Sequence, residues 1–248
     1  MKYISTRTLK SKKIESAQAI KQGLADDGGL FVPDSMPELS EADIKALCNK
    51  SYPERAAYVL SQFLTDYTYE ELLSDCLEAY SEKSFVGGAA PLVNIHDNLY
   101  SLELWHGPTA AFKDMALQIM PRLLSRALKK TGEERTALIL VATSGDTGKA
   151  ALEGYKDIDK IKMMVFYPVD GVSRVQKLQM ATQTGSNVNV CAINGNFDDA
   201  QSNVKKIFGD ADVAKELNDS DISSPAQTPS TGADLFRRSS TIFPHTAI

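Results

Sequence analysis

The run Thr136-Ala137-Leu138-Ile139-Leu140-Val141-Ala142-Thr143-Ser144-Gly145-Asp146-Thr147-Gly148 decides the fold class. Its first half is apolar without alternation, the pattern of a strand covered on both faces. Its second half turns to hydroxyls, glycine and a carboxylate, and a helix is expected from about Thr147. The rhythm then repeats. Lys162 to Tyr167 is a second strand, followed by a helix from Ser173 to about Gln183. Val188 to Ile193 is a third strand, followed by a helix from about Asp198 to Phe208. Strands alternating with helices predict a parallel sheet with helical crossovers, hence an α/β fold. Ligands in such sheets gather at the carboxyl ends of the strands.

The region before residue 91 reads differently. Ile14–Leu24, Glu41–Leu47, Pro53–Leu64 and Tyr69–Tyr80 carry apolar residues at helical spacing. Gly28-Gly29-Leu30-Phe31-Val32-Pro33 is a turn followed by a short extended piece. Leu99–Leu104 alternates and suggests a strand. Ala111–Lys130 reads as one long helix with Phe112, Ala116, Ile119, Leu123 and Leu124 on one side, kinked or divided by Pro121.

The chain has 248 residues, is 43% hydrophobic and carries a formal net charge of −5, which suits a globular protein of one large or two modest domains. The acidic balance, with no basic block beyond Lys10-Ser11-Lys12-Lys13, argues against nucleic acid as a partner. The start lacks the apolar run of a signal peptide, and no stretch reaches membrane-spanning length, so a cytoplasmic location is expected. Cys48, Cys76 and Cys191 are odd in number and far apart, as reduced thiols are. His96, His106 and His245 have no ligand spacing, and no metal is expected.

Three segments carry candidate chemistry. His106-Gly107-Pro108-Thr109-Ala110-Ala111-Phe112-Lys113-Asp114 sets a lysine just after a Gly-Pro break at a helix start. Shielded and rigid, such an amine becomes a nucleophile toward carbonyls, although most first-turn lysines are solvated charges. Thr143 to Gly148 offers hydroxyls and helix N-terminal N–H groups, suited either to a carboxylate or phosphate or simply to capping. It fails as a nucleotide P-loop, because Thr143 stands where glycine is needed and Ala150 follows Lys149. Asn194-Gly195-Asn196-Phe197-Asp198-Asp199-Ala200 also follows an apolar strand. It fits a phosphate at a helix start, or a cap whose aspartates favour the dipole.

A nucleophilic lysine with two anion loops on one sheet suits pyridoxal 5'-phosphate chemistry. The chain resembles the threonine synthase family, in its longer bacterial and fungal branch. The matching pieces are Ser5-Thr6-Arg7, Gly23 through Pro33, His106 through Thr109 with Phe112-Lys113-Asp114, Ser144 through Gly148, and Gly195 through Gln201. The resemblance implies the fold of the tryptophan synthase β-like pyridoxal enzymes, here incomplete, with a mainly helical N-terminal region. It implies that Lys113 is the catalytic lysine that holds the cofactor. Gly195, Asn196, Phe197 and Asp198 would surround the cofactor phosphate. Ser144, Gly145, Asp146 and Thr147 would cradle the substrate carboxylate, and Arg174 would pair with the substrate phosphate. The implied lyase reaction turns O-phospho-L-homoserine and water into L-threonine and phosphate. The alternatives are a related pyridoxal-phosphate lyase such as a serine or threonine dehydratase, and a non-catalytic relative.

The match stops near Ser224, and members of this branch are as a class roughly twice as long. Residues 225–248 show no helix or strand period. Back-translated and shifted by two nucleotides, Phe236–Phe243 can read PQIVYYF, which the family expects there. An out-of-frame, disordered tail is therefore expected, on an N-terminal fragment inactive as a threonine synthase. The expected division is 1–90 for the helical region, 91–224 for a partial cofactor-binding core and 225–248 for the tail.

Overall fold

The computed structural model describes residues 1–8 and 12–223. The short strands β1 (Tyr3–Ser5) and β2 (Phe31–Pro33) pair antiparallel, with α1 (Ser16–Gln22) between them in sequence. Tyr3, Ala19 and Phe31 close a small apolar cluster there. Next come α2 (Glu41–Leu47), α3 (Tyr52–Phe63) and α4 (Tyr69–Ala79). Their starts are written in the sequence. Ser40 with Asp43 and Thr68 with Glu71 form reciprocal capping boxes, each satisfying two helix-end N–H groups. An antiparallel hairpin follows, β3 (Leu92–His96) and β4 (Leu99–Leu102), in which β3 is exposed along its whole length.

The expected helix over Ala111–Lys130 is instead two, α5 (Asp114–Leu117) and α6 (Met120–Lys130). Pro121 lies in the first turn of α6, where its missing N–H costs nothing, so the proline starts a helix rather than kinking one. Phe112 precedes both helices and is exposed, so it belongs to no apolar helix face.

The core is a four-stranded parallel sheet, with β5 (Thr136–Ala142), β6 (Ile161–Pro168), β7 (Val188–Ile193) and β8 (Ile222–Ser223) in the order β7-β6-β5-β8. Side chains alternate between its faces. Ile139 and Val141 join Met163 and Val165 in the main cluster, while Leu140 and Ala142 meet Ala200 and Val204 on the other face. The helices follow that division. α7 (Asp146–Tyr155) and α8 (Arg174–Ala181) cover the first face through Ala150, Leu152 and Met180. α9 (Phe197–Gly209) covers the second through Ala200 and Val204. α10 (Ala211–Asp219) then leads to β8 on the far side of β5. The chain thus steps outward from β5 to β7 and returns across it. That reversal of strand order marks the carboxyl end of β5 as the place where a ligand crevice is expected.

The main cluster runs without interruption from Ala17 to Val188 and includes Leu60, Leu72 and Cys76 of the N-terminal helices. The helical region therefore shares its core with the sheet. The strand expected at Lys162–Tyr167 extends to Ile161–Pro168, and α7 begins one residue before the expected Thr147. β3, α10 and β8 were not anticipated. The expected tail, 225–248, lies outside the described residues.

One contact seats the segment that carries Lys113. A Cβ on Gly154 of α7 would collide with the backbone carbonyl of Leu117 in α5. Only glycine lets the two helices meet so closely. Gly154→Ala is expected to destabilise the fold by roughly 1–3 kcal/mol or more through overpacking. Urea unfolding of the two proteins measures this, and equal midpoints would contradict it.

Candidate active site

The crevice at the end of β5 is lined first by Thr143–Gly148. The Thr143 hydroxyl, 2% exposed, accepts the N–H groups of Gly145 (3.0 Å) and Gly148 (2.9 Å). It folds the loop back over the start of α7 and leaves the N–H groups of Asp146 and Thr147 without a protein acceptor among the described residues. These two groups and the positive end of the α7 dipole form an anion-binding corner. Gly145 has φ of 141°, and a Cβ there would lie 2.5 Å from the Gln176 side chain.

Gln176 is a site residue that the sequence did not single out. Its amide nitrogen donates to Asp146 Oδ1 at 2.9 Å, and its amide oxygen accepts the Ser173 N–H at 3.0 Å. It ties the start of α8 to the start of α7. The only signal was the capping pattern Ser173-x-x-Gln176, which announces a helix start and not a cross-link. The Asp146 carboxyl is held below its usual range by the Gln176 hydrogen bond, then by Lys149 and by Lys113. Lys149 is itself buried, its ammonium 3.4 Å from Asp146.

Lys113 also favours the charged form of Asp146, the weakest of these influences. Lys113 caps α5 and is half-buried, its amine 4.4 Å from the centroid of the Phe112 ring. Asp114 beside it is fully buried. It accepts the Thr109 N–H at 2.9 Å and the Thr109 hydroxyl at 2.7 Å. Burial raises the Asp114 carboxyl above its ordinary value, against the lowering effect of those hydrogen bonds.

The candidates near Gly195 lie on the same edge of the sheet but two strands away from β5. Asn196 caps α9 and accepts the Asp199 N–H at 3.0 Å, while Asp199 accepts the Asn196 N–H at 2.8 Å. Gly195 has φ of 144°, and a Cβ there would lie 2.7 Å from Asp199 Oδ2. Glycine is thus required by the cap itself. The N–H groups of Phe197 and Asp198 remain open to a ligand among the described residues. Arg174, at the first position of α8, is exposed and forms no ion pair among the described residues.

His106 fastens the loop before Lys113. Its Nδ1 lies 3.0 Å from the Val86 carbonyl oxygen and its Nε2 lies 2.7 Å from the Glu103 carboxylate. Both partners are acceptors, so the geometry favours the ring with a proton on each nitrogen. The Glu103 hydrogen bond, then that of Val86, accordingly raises the His106 pKa above 6.5. A raised folded-state pKa adds stability that is complete below the unfolded value of about 6.5 and disappears as pH climbs through the folded one. His106→Gln should therefore lower the melting temperature more at acidic than at alkaline pH. A deficit independent of pH would contradict this account.

Among the described residues no helix is long and apolar enough to cross a membrane. Residues 2–80 match the family model described as the threonine synthase N terminus. The chain is 39% identical over 219 residues to a threonine synthase of Pseudomonas aeruginosa, covering 87% of this chain and 45% of that one. It is 39% identical over 224 residues to a threonine synthase of Schizosaccharomyces pombe, with 86% and 43% covered. The crystal structure of pyridoxal-phosphate-bound threonine synthase from Brucella melitensis superposes with a TM-score of 0.82 at 35% identity, over 99% of this chain and 52% of that chain. The yeast enzyme gives 0.82 at 31%, over 98% and 48%. The chain spans less than half the length of the two curated relatives and about half of each solved chain.

Proposed function

We infer that this chain, which carries the N-terminal domain of the threonine synthases and follows their N-terminal half in sequence and fold, serves a pyridoxal-phosphate-dependent lyase reaction. The observation that supports the reading is the loop at the end of β5, where Thr143 leaves the N–H groups of Asp146 and Thr147 open, in a chain that follows the threonine synthases through Lys113. A primary amine beside one helix N-terminus, with a second on the same sheet edge, fits an aldehyde that bears a phosphate. When bound, pyridoxal phosphate supplies that aldehyde and a ring able to take up the charge left at the substrate α-carbon.

The residues divide the work as follows. Lys113 Nζ would hold the cofactor through its aldehyde, and as a free amine it removes the α-proton and returns protons along the carbon chain. The N–H groups of Asp146 and Thr147, with Ser144 and Gly145 shaping the turn, bind the substrate carboxylate. The N–H groups of Phe197 and Asp198, exposed by Gly195 and Asn196, hold the cofactor phosphate. Arg174 offers a bidentate partner to the substrate phosphate. In the net reaction the C–O bond at the γ-carbon of O-phospho-L-homoserine breaks and phosphate leaves, the β-carbon loses a proton and takes up the hydroxyl of water, and the γ-carbon gains a proton to become the methyl group of L-threonine.

Within the same reading, residues 1–90 and 91–224 are the helical region and the first part of the cofactor core. The family match over 2–80 supports the first of these. The test is covalent capture. Incubation with pyridoxal phosphate followed by borohydride should place a pyridoxyl group on Lys113, found by peptide mapping. Lys113→Ala should remove the associated absorbance band. Label scattered over surface lysines, with Lys113 unmodified, would overturn the assignment.

A further inference from the structure

We propose that Asp114 is a positioning residue, whose carboxylate clamps Thr109 and thereby fixes the direction of the neighbouring Lys113 amine. The proposal rests on the reading of Lys113 given above. Asp114 is 0% exposed and forms no ion pair among the described residues. The nearest cation acting on it, Lys149, is committed to Asp146. A buried carboxylate with no ion pair of its own is costly even when hydrogen-bonded, and a well-packed apolar residue would serve stability better. Its geometry shows what it holds. One oxygen accepts the Thr109 N–H and the other the Thr109 hydroxyl, closing a six-residue loop on itself.

The surrounding chain accommodates this clamp at a cost. A Cβ on Gly107 would lie 2.5 Å from the Asp114 side chain, so only glycine allows the carboxylate to reach Thr109. Ala110, inside the loop, has φ of 55°, a left-handed conformation disfavoured for a residue with a Cβ. On the other side α5 rests against Gly154. Lys113 lies between the two anchors, with its carbonyl accepting the Ala116 and Leu117 N–H groups. Its backbone is held at both ends, and its amine lies over the Phe112 ring, 4.4 Å from the centroid.

The test uses the whole chain and two readouts, amide exchange of Thr109 and the yield of borohydride-trapped pyridoxyl group on Lys113. Thr109→Ser keeps both hydrogen bonds and should match the wild type in both. Asp114→Asn and Thr109→Val should each speed exchange at residue 109 and cut the trapped yield on Lys113, relative to surface lysines, by about tenfold or more. That is the scale of a lost hydrogen bond to a charged group. Should Asp114→Asn fail to fold, Thr109→Val decides the matter. Faster exchange with an unchanged yield on Lys113 would overturn the proposal and leave Asp114 a purely structural residue. Absence of label on Lys113 in the wild type would instead overturn the functional reading on which it rests.

Discussion

Everything in this molecule follows from β5 being apolar on both faces. A strand with Ile139 and Val141 on one side and Leu140 and Ala142 on the other cannot rest on solvent anywhere. The chain satisfies it by sending α7 and α8 to one face and α9 to the other, and that choice forces β8 onto the far side of β5. The crevice is the by-product, since loops diverging to opposite faces must part at the strand where they diverge. Thr143 stands at the parting, and its hydroxyl does the local work of turning a buried strand into a helix start.

The sheet was legible because burial leaves a strong signature. Thr136–Ala142 and Val188–Ile193 fall at the bounds their apolar runs suggest, and Glu41–Leu47 at the bounds its period suggests. The misreadings have physical causes. Ala111–Lys130 has a helical period throughout, yet the tie from Asp114 to Thr109 and the close contact at Gly154 hold a four-residue helix apart from the one that Pro121 starts. β3 and β8 escaped notice because neither has a buried face to impose a pattern along its length. One is exposed throughout and the other is two residues long.

The site divides along the same line. Lys113 and the Thr143–Gly148 loop stand out in the sequence because nucleophile and turn chemistry are local properties of sequence. Gln176 acts across the fold, from α8 to the start of α7, while Lys149 and Thr109 act on partners three and five residues away. Nothing in their own neighbourhoods distinguishes them from a capping residue, a surface charge and a turn. Gly195 shows the converse. Its identity suggested close approach by a phosphate, while the structure gives a sufficient local reason in Asp199.

One feature of the loop before Lys113 reaches beyond stability. Trp105 is the sole tryptophan of the chain, and its ring lies nearly parallel to that of His106, with centroids 5.8 Å apart. An imidazole whose charged form is favoured by Glu103 is a close electrostatic neighbour of the indole ring. Every photon emitted by indole in this protein therefore comes from beside the segment that orients the lysine. The molecule carries an intrinsic optical reporter of that loop, read without any label.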